Sequence, residues 1–492
     1  MREGGIPSEP RTSSEESGAC MACPAPDGGA GASWEKPIFD REILRRYDRS
    51  GPRYTSYPTA NLFHDGFTSS DYESVLRQAD EAAPDRPLSL YVHLPFCKTL
   101  CTFCACNVIW TKDRTRGGHY VDLVSREMDR VASLLTPGRK VVQLHWGGGT
   151  PTHVPAQALE RLHGATRDHF DFAEDAEMSV EINPRELDPD HLETLARCGF
   201  RRVSIGIQDF DPRVQAGVRR FQSEELTRSV MERCRELGFC SVNVDLIYGL
   251  PFQMRKTFKR TVETIIQLDP DRIALFNFAY LPQMVPHHRA IKPETLPSPE
   301  IKLDILELAI EAFTAAGYVY IGMDHFAKPG DELALALRDR TLARNFQGYT
   351  TRSGYDLLAF GVSGISQVGP CYAQNDKDVA SYQTRIEDGR LPTERGILLQ
   401  GDDELRRDVI QRLMCHFTLV KPEIESCHGI EFDRYFADSL NALEPMAADG
   451  LVDLAPDRIT VLPLGRLLVR NIAMAFDTYL ARKGAAHFSR TV

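Results

Sequence analysis

Four cysteines fall within ten residues, in the run Cys97-Lys-Thr-Leu-Cys101-Thr-Phe-Cys104-Ala-Cys106. Thiolates hold iron–sulfur clusters. Cysteines spaced by four and then three can take three corners of one cubane from a single loop. The fourth iron is then open to an exogenous ligand, as in catalytic metal centres that keep a vacant position. Counting Cys106 as a fourth ligand gives the alternative, a closed, ferredoxin-like electron-transfer cluster. A zinc site is the other alternative, although zinc loops usually come as two separated pairs of ligands. Cys198, Cys234, Cys240, Cys371, Cys415 and Cys427 are scattered and read as buried, inert thiols. Cys20 and Cys23 form a lone CxxC, a weak zinc or redox signal.

Polar residues recur where later strands should end. Gly147-Gly148-Gly149-Thr150-Pro151 follows an apolar run. Glycines there admit a ligand close to the backbone and expose amide N–H groups, though a tight turn needs no more than this. Glu181, Gln208 and Asp245 each lie near a strand end, where carboxylates suit ribose hydroxyls or an ammonium group. A cap or core salt bridge would use them equally well. Arg220, in a loop, can meet a carboxylate bidentately or simply be solvated. Tyr91 and His93 are two apart on one strand and share a face.

The elements that position these residues alternate in type. SLYVHL (89–94), VVQLHW (141–146), MSVEIN (178–183), RRVSIGI (201–207), CSVNVDLIY (240–248) and RIALFNF (272–278) read as strands. Helical patterns lie between them. One covers about 120–135, and one is N-capped by Asp188 with Pro189 at its first position and stopped by Gly199. Another runs through Val230 and Cys234 to Gly238, and Ser298-Pro299 opens a long helix ending at Gly317. Six such units predict a parallel sheet in a complete or partial barrel, with the chemistry at the C-terminal strand ends. From about Glu404, helices over 404–417, 431–449 and 466–482 with a hairpin at 452–461 resemble a winged-helix unit.

Composition sets the class. The 492 residues suggest two or three domains, and the net charge of −11 argues against a general polyanion binder. No apolar run reaches the ~18–20 residues of a membrane span. The first 36 residues, rich in Gly, Ser, Pro, Ala and Glu, predict a disordered leader rather than a secretory signal. The expectation is a cytoplasmic protein whose cysteines are not paired as disulfides.

CxxxCxxC, with Phe103 before its third cysteine, is the signature of the radical S-adenosylmethionine (SAM) superfamily. YVHLPFCKTLCTFCACN, QLHWGGGTPT, SIGIQDF, NVDLIYGLP, IGMDHFAKP, RNFQGYTT, GVSGIS, GPRYTSYPTA (51–60) and RLLVRNIAMAFDTYL resemble the oxygen-independent coproporphyrinogen III oxidases over about residues 45–492. The resemblance implies a partial (β/α)6 radical SAM barrel at 86–370. It also implies an N-terminal substrate-covering segment at 37–85 and a mostly helical, winged-helix-like C-terminal domain at 371–492. It implies that Cys97, Cys101 and Cys104 ligate a [4Fe–4S] cluster whose open iron takes SAM. Tyr91, Gly148, Glu181 and Ile365 would contact this SAM, with His93 beside them. Gly149, Thr150, Gln208, Arg220, Asp245 and Ala279 would contact a second SAM. Cys106 matches a fourth, non-ligand cysteine near the second SAM and is a candidate catalytic residue. The substrate would be coproporphyrinogen III, with Arg53 and Tyr54 as candidate propionate contacts. Partners would be a low-potential, flavodoxin- or ferredoxin-like electron donor, and the chain would be a monomer. Two other functions compete. A heme chaperone on the same barrel usually has an aromatic residue in place of Cys106, and lacks GPRYTSYPTA and FQGYTT. A DNA-binding redox sensor would use the C-terminal unit, which the acidic balance disfavours. Ala105 departs from the family's common glycine.

Overall fold

The computed structural model describes residues 34–483, 488, 490 and 491. Cys20, Cys23 and the leader up to residue 33 lie outside them.

Six strands, β1 (Leu88–Leu94), β2 (Lys140–Gly148), β3 (Asp171–Ile182), β4 (Arg202–Gln208), β5 (Ser241–Tyr248) and β6 (Arg272–Asn277), pair in sequence order and in parallel. They form the centre of a twelve-stranded sheet. On one side β1 pairs with Asp356–Phe360 in parallel, and antiparallel strands continue the sheet through Leu398; on the other, β6 pairs with His325–Ala327. The two edge strands do not pair, so this is a partial barrel.

Period-two alternation sets its two faces. Leu90, Val92, Leu144, Trp146, Val180, Ile205, Val244 and Leu275 point out and are buried under helices. These helices include Thr115–Ala132, Ala156–His169 and Arg255–Leu268. The alternate residues point in and are polar. Ser89 donates to Gln143 at 2.9 Å, Gln143 to Glu177 at 3.0 Å, and Arg202 pairs with Glu177 at 3.3 Å. Hydrogen bonds thus fill the N-terminal end of the lumen, and the C-terminal end is left to ligands.

Ser298 caps the helix Pro299–Ala315 by accepting from Ile301 N–H, as its type requires. Asp188 does not cap. The helix it was expected to open covers His191–Arg197, and Asp188 instead pairs with Arg114. Three further readings are corrected. The helix expected over 466–482 breaks into short pieces: Arg466–Leu468, Val469–Ala473, Met474–Phe476 and Thr478–Lys483. Cys427 is exposed. Cys240 is disulfide-bonded, which leaves Cys198, Cys234, Cys371 and Cys415 as the buried free thiols of that group.

The C-terminal part packs the helix Gly401–His416 against a three-stranded sheet of Thr418–Val420, Arg458–Val461 and Val452–Leu454. The N-terminal segment is tied to it: Arg470 Nε donates to the Pro52 carbonyl at 2.9 Å, and Tyr54 OH to Asp477 at 2.9 Å. No helix of the described residues is long and apolar enough to cross a membrane.

Candidate active site

The cysteine loop leaves the C-terminal end of β1 and is clamped by neighbours. Thr102 N–H donates to the Val218 carbonyl at 3.1 Å and Lys98 N–H to Glu186 at 3.0 Å. His287 and His288 reach the Cys104 and Phe103 carbonyls at 2.5 and 3.1 Å. The loop is therefore held in shape by its backbone, which frees the thiols for ligation.

Cys97, Cys101, Cys104 and Cys106 share one cavity of about 160 Å³ with Gly148, Gly149, Thr150, Glu181, Gln208, Arg220 and Asp245. Arg185 Nη2 lies 3.4 Å and Arg220 Nη1 3.8 Å from Cys101 Sγ. Thr150 Oγ1 is 3.4 Å from Cys97 Sγ. The hydrogen bond from Cys106 is the main cause holding the Cys104 thiol down to about 7, and Arg220 adds to it, against burial. Burial pushes Cys97 up to about 12. Three thiols with cations nearby suit an anionic thiolate cluster. They do not suit a single ion: among the described residues, Asp188, Asp190 and His191 are the one trio of such side chains close enough to share one. That trio includes a carboxylate already paired with Arg114.

The glycine turn works differently from its sequence reading. Gly149 and Thr150 N–H groups donate to the Leu94 and Phe96 carbonyls at 2.9 and 2.8 Å, and Gly148 N–H to Glu181 Oε2 at 3.1 Å. The Gly149 and Thr150 amides lock the turn to the end of β1 and to the residue before Cys97, and the Gly148 amide ties it to β3. What glycine supplies is close approach. A Cβ on Gly149 would sit 2.5 Å from the Pro95 carbonyl oxygen, a backbone atom that cannot step aside. Gly149→Ala is expected to force the two loops apart at a cost of about 1–3 kcal/mol. Iron retention and SAM affinity should fall together, by iron assay and calorimetry; unchanged affinity would refute the coupling.

Glu181 also meets His145 Nε2 at 3.5 Å, and His145 stacks on Tyr91 at 5.8 Å. Burial favours the protonated carboxyl, but His145 and the Gly148 amide outweigh it and hold Glu181 below the ordinary range. Burial, with the nearby charge of Glu181, pushes Asp245 up to about 7, against bonds from Asn243 and Ser204. His93 bonds Tyr91 OH at 3.0 Å and the Asn107 carbonyl at 2.9 Å, so its ring braces the loop, and burial lowers its pKa. Gln208 Oε1 and Arg220 Nε are buried without hydrogen-bond partners. An orphaned acceptor and donor in one cavity fit a polar ligand, and the donor set fits a cluster with SAM.

Ala279 and Ile365 do not line this cavity. Ala279 lines a separate cavity of about 610 Å³ with Tyr248 and Tyr280. Ile365 is half-buried against Phe63, Tyr372 and Leu399. Tyr54 is spent on Asp477, whereas Arg53 pairs with Asp324 and keeps 31 % of its side chain exposed. Arg185, Asn183 and the His287-His288 pair were not anticipated. The adjacent histidines were visible in sequence, but nothing local tied them to a loop about 180 residues away.

The radical SAM superfamily model matches residues 91–265. The oxygen-independent coproporphyrinogen III oxidase of Pseudomonas aeruginosa is 48% identical over 92% of this chain and 99% of its own length. That of Escherichia coli is 48% identical over 92% and 98%. The solved structure of coproporphyrinogen III oxidase from Escherichia coli, a radical SAM enzyme, superposes with a TM-score of 0.86 at 46% identity, over 90% of this chain and 100% of that one. The chain belongs to the oxygen-independent coproporphyrinogen III oxidase family. It is thus a radical SAM enzyme, with the [4Fe–4S] cluster and SAM that this superfamily implies.

Proposed function

We propose that this family member carries out the anaerobic oxidative decarboxylation of two propionates of coproporphyrinogen III to the vinyl groups of protoporphyrinogen IX, in heme biosynthesis. The observation that carries the reading is one cavity holding Cys97, Cys101 and Cys104 together with Glu181, Gln208, Arg220 and Asp245, in a chain 48% identical to enzymes of that name. Cluster and SAM, when bound, supply a 5′-deoxyadenosyl radical that takes one hydrogen atom from the propionate β-carbon. Loss of CO2, with one electron passed to an external one-electron acceptor and the carboxyl proton released, would then leave the alkene, and the cycle would repeat on the second propionate.

The residues divide by role. Cys97, Cys101 and Cys104 ligate the cluster, and Cys106 stands beside it as a non-ligand. Tyr91, His93, Gly148, Glu181 and Ile365 serve the cluster-bound SAM. Gly149, Thr150, Gln208, Arg220, Asp245 and Ala279 serve a second SAM. Glu181 and Asp245 accept from hydroxyl or ammonium groups, and Arg220 offers its unpartnered Nε to a carboxylate. The segment at 37–85 and the helical C-terminal domain at 371–492 cover the barrel at 86–370, excluding water from the radical. A cytoplasmic monomer, fed by a flavodoxin- or ferredoxin-like donor, completes the reading.

The test is anaerobic turnover by protein reconstituted with iron and sulfide, given SAM, a low-potential reductant and coproporphyrinogen III. The expected result is protoporphyrin fluorescence after oxidation, with 5′-deoxyadenosine formed in step. A protein that retains its cluster and binds heme but yields no product would be a heme chaperone instead.

A further inference from the structure

A second charged group faces the lumen and has no part in the cofactor site. Arg53 comes from the N-terminal segment, Arg344 from the hairpin strand Ala343–Asn345, and Arg470 from the helix Val469–Ala473. The Arg53 guanidinium lies 5.7 Å from the centre of the Phe276 ring, an inward position of β6. Phe276 meets His325 edge-on at 5.9 Å, and His325 meets Tyr349 edge-on at 5.3 Å. Arg344 lies 4.7 Å over Tyr349. Three half-buried rings thus form a wall with a guanidinium at each end.

Arg53 pairs with Asp324, but Arg344 forms no ion pair among the described residues. Arg344 is 5 % exposed, and its Nε and Nη1 have no hydrogen-bond partner. Burial, with crowding by Arg470 and Arg344, pushes Arg53 down to about 9. Burial, with Arg344, Arg53 and Arg272 nearby, pushes His325 well below its ordinary value, so the ring between Arg53 and Arg344 brings no compensating or added charge. A buried guanidinium with open donors is costly unless an anion completes it. Its planar fork matches a carboxylate.

We propose that Arg344 and Arg53 bind carboxylates of the substrate, anchoring propionates that are not reacting while Phe276, His325 and Tyr349 pack against the macrocycle. This rests on the reading of the substrate as a tetracarboxylate porphyrinogen. Arg470 acts as a positioning residue, since its guanidinium donates to the Pro52 and Gly51 carbonyls and so fixes the backbone that carries Arg53.

The test uses reconstituted full-length protein, anaerobically, with Arg344→Gln and Arg53→Gln beside the unaltered chain. Binding of coproporphyrin III, a stable tetracarboxylate, and of its tetramethyl ester is read by fluorescence quenching; KM is read with coproporphyrinogen III. In the unaltered protein the acid should bind about tenfold or more tighter than the ester. In each variant that preference should shrink, and KM should rise about tenfold or more. Equal affinity for acid and ester in the unaltered protein overturns the proposal without requiring any variant to fold. Turnover with an unchanged KM in both variants also overturns it, while the reaction stands. Arginine-dependent preference for the acid with no turnover leaves the carboxylate site standing and removes the reaction.

Discussion

Replacing Cys101 by serine is expected to strip the protein of iron and to lower activity by more than about 100-fold, a larger loss than removal of an outer-shell partner produces. The sulfur is buried, with two guanidiniums turned toward it. An alkoxide is a poorer iron ligand than a thiolate. The fold should survive, because the loop is held by Thr102, His287 and His288 through its backbone. The same change at Cys106 should leave the iron-to-protein ratio intact while turnover falls. If Cys106→Ser loses iron as Cys101→Ser does, four cysteines ligate and the open iron disappears with them. Iron assay and visible absorbance of the two variants side by side decide between the cases.

The second large effect falls on stability and lies far from the thiols in sequence. Glu127 is buried on the helix Thr115–Ala132 and accepts from Gly361 N–H at 2.8 Å, Tyr382 OH at 2.6 Å and Asn375 Nδ2 at 2.6 Å. From the same helix, Tyr120 OH accepts from Val362 N–H at 2.8 Å and donates to the His93 carbonyl at 2.9 Å. The pair fastens the turn before Ile365 to the end of β1. Glu127→Ala leaves three buried donors unmet and should cost about 3–5 kcal/mol, seen as a lower denaturation midpoint. A loss under about 1 kcal/mol would mean that the turn finds other partners.

The same carboxyl gives stability a pH dependence. Burial pushes Glu127 up to about 7 from the ordinary 4.5, against the three donors. The folded chain therefore holds this proton more tightly than the unfolded chain. The contribution is full below pH 4.5 and is lost as pH rises through about 7, a swing of about 3 kcal/mol. Glu127→Gln, which cannot titrate, should lose that slope between about pH 4.5 and 7 while being less stable throughout, because its single acceptor oxygen meets three donors. A midpoint that still falls as steeply in the variant would assign the slope to other groups.

Local signals carried much of this. The cysteine spacing, the six strands and the Ser298 cap each depend on residues a few positions apart, and so they are written along the chain. The inward positions of Tyr91, Glu181 and Asp245 follow from period-two alternation once the strands are found. Asp188 misled because Asp followed by Pro reads as a cap, while the tertiary partner Arg114 claimed its carboxylate. The helix expected at 466–482 had the right apolar pattern but packs in short turns against the N-terminal segment, which pulls Asn471 and Arg470 onto backbone carbonyls.

The sequence by itself determined the class of chemistry, because three thiolates in one loop need only local spacing to form a cluster site. Tertiary structure alone decided that Gly149 abuts Pro95, that the Thr150 amide binds the Phe96 carbonyl beside the cysteine loop, and that Arg53 and Arg344 flank one aromatic wall. Those two arginines are separated by 291 residues (344 minus 53). No local propensity records such a pairing; it exists because burying the outer faces of the strands closes the sheet far enough to bring distant segments into one lumen.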